Sequence, residues 1–235
     1  MQVTDLKMTL KVLIIGLGQL GLAAAKYVKE RGFDTYGYDI NTEAMDISQR
    51  SAGIKPVTDF GSHDFDVYVI CVSTHKPDDI FSPQIDSILS VGDKISREAM
   101  KDGALISIES TIPKGTSKKL FELLNHRLHV IHVPHRWYAS EEKEHGVNQL
   151  RVIGGVYDCC LRAGIRFYNG IEKRESYPDI IHSCDSNLGI PMHLVSDIEI
   201  AETTKVVENC HRYLQIAFAL SSAIILFGIK SIPLI

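Results

Sequence analysis

The stretch Leu10-Lys11-Val12-Leu13-Ile14-Ile15-Gly16-Leu17-Gly18-Gln19-Leu20-Gly21 decides the fold of this chain. Its apolar first half predicts a buried strand, and the Ala-rich segment 22–31 predicts a helix. Between them the glycines follow a G-x-G-x-x-G spacing. Gly16 permits a tight turn, Gly18 permits close approach of a pyrophosphate, and Gly21 permits close packing of the helix on the strand. The free N–H groups at the start of that helix favour phosphate, so the stretch predicts a dinucleotide site.

An acid after the second predicted strand indicates which dinucleotide binds. Strand 33–38 ends at Asp39, about 20 residues beyond the glycine motif. A carboxylate there suits the ribose 2′-hydroxyl of NAD and would repel the 2′-phosphate of NADP. The sequence therefore predicts NAD as cofactor and partner. The alternative is a glycine turn that binds no ligand. The predicted contacts in this part of the chain are Gly16, Gly18, Gln19, Leu20, Gly21 and Asp39.

The composition narrows the class of protein. The 235 residues are 45% hydrophobic and 23% charged, with a net charge of −4, which is typical of one large globular domain or one domain plus part of a second. No basic block is present, so nucleic acid is not an expected partner. The five cysteines and ten histidines show no CxxC or HExxH spacing. Reduced thiols in a cytoplasmic protein, and no metal site, are therefore expected.

Apolar runs alternate with helical segments along most of the chain. This alternation predicts an α/β fold, a doubly wound Rossmann-type, mostly parallel sheet followed by a long connecting helix. The predicted strands are 12–15, 33–38, 66–72, 103–108, 128–133 and 150–153. The predicted helices between them are 22–31, 41–49, 87–100, 116–125 and 156–163, with 168–182 left open.

The carboxyl-terminal segment predicts the long helix. It starts at Ile198, with Ser196 or Asp197 as N-cap, and reaches about Phe227 without Pro or Gly. Its apolar part, 214–229, is shorter than the ~20 residues that span a bilayer. We therefore expect burial in a core or in a homodimer, and no membrane span. The predicted division of the chain is a leader at 1–9, an NAD-binding domain at 10–196 and, at 197–235, the start of a truncated central dimerisation domain.

Polar loops follow three of the predicted strands, at the edge where ligands of a parallel sheet bind. On the long helix, Lys205 and Asn209 are four residues apart and share a face, where a cation and an amide suit a developing oxyanion. The loop candidates are Val72, Ser73 and Thr74; Glu109, Ser110 and Thr111; and His135, Arg136 and Trp137. Each candidate also has a structural alternative without a role in binding or catalysis. Thr74 would cap a turn, Glu109 would be a solvated loop acid, and Lys205 would pair with Glu202 or Glu208 on an exposed face. His135 and Arg136 would be surface residues, and Trp137 would belong to the core.

Taken in order, these segments resemble the nucleotide-sugar dehydrogenases, which act on UDP-glucose, UDP-N-acetylmannosamine or GDP-mannose. The resemblance extends to about Ala219, and its most specific part is the block on the long helix. The matching segments are Gly16–Gly21, Asp66–Pro77, Glu109–Thr116, Arg151–Gly155, Leu188–Pro191 and Ala201–Ala219.

The resemblance implies a function and a role for each candidate. The family oxidises a sugar C6 alcohol to a carboxylate in two NAD-linked steps. By resemblance, Asp39 and the loops at Thr74 and Thr111 hold NAD, and Glu109 positions or activates the hydrolytic water. Lys205 and Asn209 bind the reacting oxygen of a nucleotide sugar.

The chain also departs from that family. The cysteine nucleophile of the aldehyde step belongs to a Gly-rich loop after the long helix, and no cysteine here sits in such a loop. His135 stands where many members carry an acid. We therefore expect an incomplete enzyme that lacks the sugar-nucleotide-binding domain. A hydroxyacid dehydrogenase of the 6-phosphogluconate or 3-hydroxyisobutyrate type, and a non-catalytic NAD-binding subunit, are the alternatives.

Overall fold

A computed structural model describes residues 9–75, 79, 82–136, 146–169 and 187–227. Eight strands form one sheet in the order β3-β2-β1-β4-β5-β6-β7-β8. All neighbours pair in parallel except β6 and β7, which are antiparallel. The strands are β1 (Lys11–Ile15), β2 (Asp34–Tyr38), β3 (Lys55–Pro56), β4 (Val67–Ile70), β5 (Leu105–Ile108), β6 (His129–His132), β7 (Arg151–Gly155) and β8 (Met192–Leu194).

Helices connect the parallel strands and cover the sheet. The 3-2-1-4-5-6 order of the first six strands is the Rossmann order, so the predicted fold class is confirmed. β4 and β5 are buried at every position, as expected for strands covered on both faces. The helices are α1 (Gln19–Glu30), α2 (Thr42–Ala52), α3 (Asp86–Glu98), α4 (Thr116–Leu123), α5 (Asp158–Tyr168) and α6 (Ile198–Phe227), with a short 3-10 turn at Phe60–Ser62.

The differences from the predicted elements lie mainly beyond β6. Segment 150–153 was expected to end in a glycine turn, but β7 continues through Gly155 and pairs with β6. The helix expected at 156–163 begins at Asp158 and extends to Tyr168, so Gly164 lies inside it and lets it pack close to the sheet. A Cβ at Gly164 would stand 2.7 Å from the side chain of Ile131. The short strands β3 and β8 carry too few residues for a periodic signal, and most of 168–182 lies outside the described residues.

The long helix α6 is present as predicted and begins after Asp197, whose carboxylate accepts a hydrogen bond from the Glu199 N–H at 2.9 Å. Beyond its first turns its apolar side chains are exposed, with Tyr213 at 73% and Phe218 at 76%. The core of this chain therefore does not cover them, and burial in a homodimer stays a prediction. Across the described ranges, none of the helices combines the length and the apolarity needed to cross a membrane.

A buried histidine in β6 predicts a pH dependence of stability. His132 is fully buried, and burial lowers its pKa from 6.5 to about 3. The unfolded chain takes up this proton below pH 6.5 and the folded chain does not, so stability is lost as pH falls from 6.5 toward 3. We expect His132 to contribute a loss of about 1.4 kcal/mol in the free energy of unfolding per pH unit.

Urea denaturation at several pH values between about 7 and 5 measures this contribution. His132→Leu removes the titrating group while keeping an apolar side chain in the core, so its stability should decline less steeply with acid. Equal slopes for the two proteins would contradict the assignment to His132.

Candidate functional site

The turn after β1 has the backbone geometry that the glycine motif predicts. Gly16 has a φ of +91°, and a Cβ there would lie 2.7 Å from the Cys71 carbonyl oxygen. A Cβ at Gly21 would lie 1.7 Å from the Gly16 carbonyl oxygen. Both positions therefore exclude side chains, so that α1 can start close behind the strand.

Gly18 differs from those two glycines because it faces open space. It is the N-cap of α1, has a φ of −64°, and a Cβ there would meet nothing within 4 Å. No side chain caps this end of the helix. The first-turn N–H groups, which include those of Gln19 and Leu20, therefore have no side-chain cap, and such a helix end favours a phosphate group.

The predicted ribose-binding acid lies beside this turn. One carboxylate oxygen of Asp39 accepts a hydrogen bond from the Leu17 N–H at 2.6 Å, and the other accepts one from the Asn41 N–H at 2.8 Å. Backbone groups on both sides therefore hold the half-buried carboxylate against the glycine turn. The glycine turn and the acid, distant in sequence, form one site as predicted.

The loops after β4 and β5 are joined by hydrogen bonds between candidate residues. The Ser110 hydroxyl donates to the Val72 carbonyl at 2.6 Å. The Thr74 hydroxyl donates to the Thr111 carbonyl at 2.7 Å, so this side chain links two loops. Ser73 instead contacts His75, with 3.1 Å between Oγ and Nδ1. These loops lie at the same edge of the sheet as the glycine turn.

Glu109 lies in a buried polar cluster, so the alternative of a solvated loop acid is wrong. Its side chain is only 4% exposed, and Oε1 accepts a hydrogen bond from the Tyr168 hydroxyl at 2.6 Å. The Arg151 guanidinium, itself 1% exposed, forms an ion pair with the same oxygen at 3.0 Å. Burial and the nearby Glu109 hold the pKa of Tyr168 well above its ordinary value, so the hydroxyl remains a donor.

The second oxygen of Glu109, Oε2, is buried and lies beside His135. His135 Nε2 lies 3.3 Å from Oε2, but burial and the charges of Arg151 and Lys205 hold the pKa of His135 well below 6.5. The ring is therefore neutral, and Arg151 Nη2 lies 3.2 Å from the same nitrogen. Among the described residues Oε2 has no hydrogen bond. A buried carboxylate oxygen without a hydrogen bond can accept one from a bound molecule.

The two candidates on α6, Lys205 and Asn209, differ in burial. Lys205 is 9% exposed, with Nζ 3.6 Å from a carboxylate oxygen of Glu208, and burial lowers its pKa despite that acid. The alternative that Lys205 pairs with Glu208 is therefore right about the partner, but it is wrong about an exposed face, because Lys205 is buried. Asn209 is exposed, and Arg136, also exposed, binds Glu208 at 2.7 Å. His135 is buried, whereas Trp137 lies outside the described residues.

Sequence reasoning missed the buried acid Glu202. Its two carboxylate oxygens accept hydrogen bonds from the Gly115 N–H at 2.6 Å and the Ser117 N–H at 2.8 Å, at the start of α4. It therefore does not pair with Lys205 but fastens the first turns of α6 to the loop after β5. The available signal was the spacing of Ile198, Ala201 and Glu202, which puts the acid on the apolar face of the helix.

The fold and the glycine turn define a dinucleotide-binding domain of the Rossmann class. Residues 49–172 match the NAD binding domain of the UDP-glucose/GDP-mannose dehydrogenase family, and the chain belongs to this family. The resemblance drawn from the sequence and the choice of NAD as cofactor are thereby confirmed. The matched segment begins after the glycine turn, so the open space at Gly18 is independent support for a dinucleotide.

Individual relatives agree with the family. A UDP-N-acetyl-D-mannosamine dehydrogenase of Methanococcus maripaludis is 28% identical over 89% of this chain and 49% of its own length. The UDP-N-acetyl-mannosamine dehydrogenase of Staphylococcus aureus has a structure with a TM-score of 0.66 and 27% identity, covering 92% of this chain and 55% of that one. The Pyrococcus horikoshii enzyme shares the fold at a TM-score of 0.69, with 24% identity and coverages of 92% and 54%. The chain spans about half the length of the relatives it matches.

Proposed function

We propose that this chain is the cofactor-binding half of an NAD-dependent nucleotide-sugar 6-dehydrogenase. The observation that carries the proposal is the open space at Gly18 beside the fixed carboxylate of Asp39. NAD, when bound, supplies the hydride acceptor for oxidation of an alcohol. The glycine turn holds the pyrophosphate, Asp39 accepts from the ribose, and the joined loops at Thr74 and Thr111 line the rest of the cofactor site.

Lys205, Asn209 and the buried cluster around Glu109 supply the groups that contact the reacting sugar and water. Lys205, with Asn209 one turn further along α6, binds the sugar oxygen on which negative charge develops. The free oxygen of Glu109 accepts a hydrogen bond from the water that the second oxidation consumes. Arg151 and Tyr168 hold that carboxylate through its other oxygen. These roles require a sugar ring between α6 and the loop after β5.

The described cysteines do not supply the nucleophile of the second oxidation. Cys71 is largely enclosed, and burial raises the pKa of its thiol well above 9.0. Cys159 and Cys160 lie at the start of α5, and Cys210 is exposed on α6. Cys184 lies outside the described residues. We therefore propose that these 235 residues bind NAD without converting a nucleotide sugar to its acid.

The partners and the domain division follow from the same proposal. The exposed apolar side chains of α6 support a homodimer formed through that helix. The division into 1–9, 10–196 and 197–235 then separates a leader, the NAD-binding domain and the start of a central domain. A nucleotide sugar is the second small-molecule partner, and we place the protein in cytoplasmic synthesis of polysaccharide precursors.

Product formation tests the functional proposal. The purified chain is incubated with NAD and UDP-N-acetylmannosamine or UDP-glucose, and NADH and sugar acid are measured. We expect no sustained acid formation, while the Pyrococcus horikoshii relative assayed in parallel is the positive control. Formation of the acid with two NADH per sugar by this chain alone would contradict the proposal. Turnover of a small hydroxyacid would instead favour the 6-phosphogluconate or 3-hydroxyisobutyrate type.

A further inference from the structure

A cluster of metal-ligating side chains lies away from the cofactor site. His129 is the first residue of β6, and Cys159 and Cys160 are the second and third residues of α5. One nitrogen of the imidazole and the two sulfur atoms all lie within 4.8 Å of one another. His129 stands at the amino end of a parallel strand, whereas the glycine turn follows the carboxyl end of β1. The cluster is therefore at the opposite edge of the sheet.

The fold brings together three residues that no local spacing motif in the sequence connects. β7 runs antiparallel to β6 and returns the chain to the amino end of that strand. α5 starts there, with its first turn against His129. Only the pairing of β6 with β7 creates this contact.

The chemistry of the three groups suits a thiophilic cation. Burial and the charge of Arg166 lower the pKa of His129, so its imidazole is neutral at physiological pH and offers a lone pair. Both cysteines lie in the first turn of α5. Burial raises the pKa of the Cys160 thiol, and this effect outweighs the opposing hydrogen bonds with the backbone at Val130 and Tyr157. A bound cation would offset that effect of burial.

We propose that His129, Cys159 and Cys160 form a binding site for one Zn²⁺ or a similar thiophilic d¹⁰ cation. Around a tetrahedral zinc, sulfur and nitrogen ligands lie roughly 3.5–3.8 Å apart, so atoms that lie within 4.8 Å of one another need to approach by roughly 1 Å at most. The positive charge of Arg166 acts on His129 and would repel a cation. Two thiolates balance the charge of the bound cation and so offset this repulsion. Cys159 is exposed, so the cation can enter from solvent and a water can fill the fourth position.

Cobalt titration tests this site directly, because thiolate-bound tetrahedral Co²⁺ gives a charge-transfer band and visible d–d bands. The reduced chain is used without a histidine tag and with Cys184→Ser, so that the thiol outside the described residues does not contribute. We expect one Co²⁺ per chain, displaced by one Zn²⁺. Loss of an outer-shell partner already lowers metal affinity about 10- to 100-fold, so loss of a ligand should cost at least ~100-fold.

Matched variants decide whether these residues are the ligands. Cys159→Ser and His129→Ala should each lower the affinity for Co²⁺ and Zn²⁺ by at least ~100-fold. Cys210→Ser, at another exposed cysteine, should leave these affinities unchanged. Far-ultraviolet circular dichroism establishes that each variant is folded, and NAD affinity should stay the same in all of them. Absence of the charge-transfer band in the parent chain would overturn the proposal. Unchanged affinity in Cys159→Ser or His129→Ala, or loss of binding in Cys210→Ser, would overturn it as well.

Discussion

Replacement of Arg151 by Met is expected to lower the free energy of unfolding by about 3–5 kcal/mol. Arg151 and Glu109 are 1% and 4% exposed, and their charged groups lie 3.0 Å apart. Without the guanidinium, the carboxylate of Glu109 is left buried without its cationic partner, although it keeps the hydrogen bond from the Tyr168 hydroxyl. A buried charge that loses its partner costs more than the pair contributed.

A double-mutant cycle separates this cause from a simple loss of packing. Glu109→Gln removes the buried charge, so Arg151→Met combined with Glu109→Gln should recover most of the lost stability. Urea denaturation of the parent chain, both single variants and the double variant measures the cycle. A double variant as unstable as Arg151→Met would show that packing around Arg151, and not the uncompensated carboxylate, accounts for the loss.

Alanine at Gly18 is expected to weaken NAD binding, whereas alanine at Gly21 is expected to destabilise the fold. Gly18→Ala should leave stability nearly unchanged, because its φ of −64° is allowed and the new Cβ meets nothing within 4 Å. It should weaken NAD binding by about tenfold or more, because the methyl group enters the space through which the pyrophosphate reaches the backbone. Gly21→Ala should destabilise the fold by about 3 kcal/mol or more, because its Cβ would lie 1.7 Å from a carbonyl oxygen.

Thermal denaturation and NAD titration of these two variants measure both properties. The glycines lie on the same turn, so each variant is the control for the other. NAD affinity that is unchanged in Gly18→Ala would contradict the placement of the pyrophosphate at this turn. A Gly21→Ala chain as stable as the parent would contradict the close packing of α1 behind β1.

Features encoded over short stretches were predictable from the sequence. The apolar runs of β1 and β4, the turn from Gly16 to Gly21 and the course of α6 depend on neighbouring residues, and the structure contains all of them. Asp39 could be predicted as well, because the Rossmann geometry puts the end of β2 beside the end of β1. Here, local pattern and topology pointed to the same site.

Features that depend on distant pairing were not predictable. The burial of Glu109 requires Arg151 from β7 and Tyr168 from α5, and the antiparallel pairing of β7 has no signal in the sequence of that strand. The spacing of Glu202 with Ile198 and Ala201 indicates that this acid faces the core. Its partners, the N–H groups of Gly115 and Ser117, follow only from the docking of α4 against α6. In each case the contact joins segments that only the complete sheet brings together.

Calorimetric titration of the chain with NAD and with NADP tests the cofactor site directly. We expect NAD to bind and NADP to bind at least about tenfold more weakly, because the carboxylate of Asp39 would face the 2′-phosphate. Absence of binding for both dinucleotides, or tighter binding of NADP, would contradict the assignment of this turn and this acid as an NAD site.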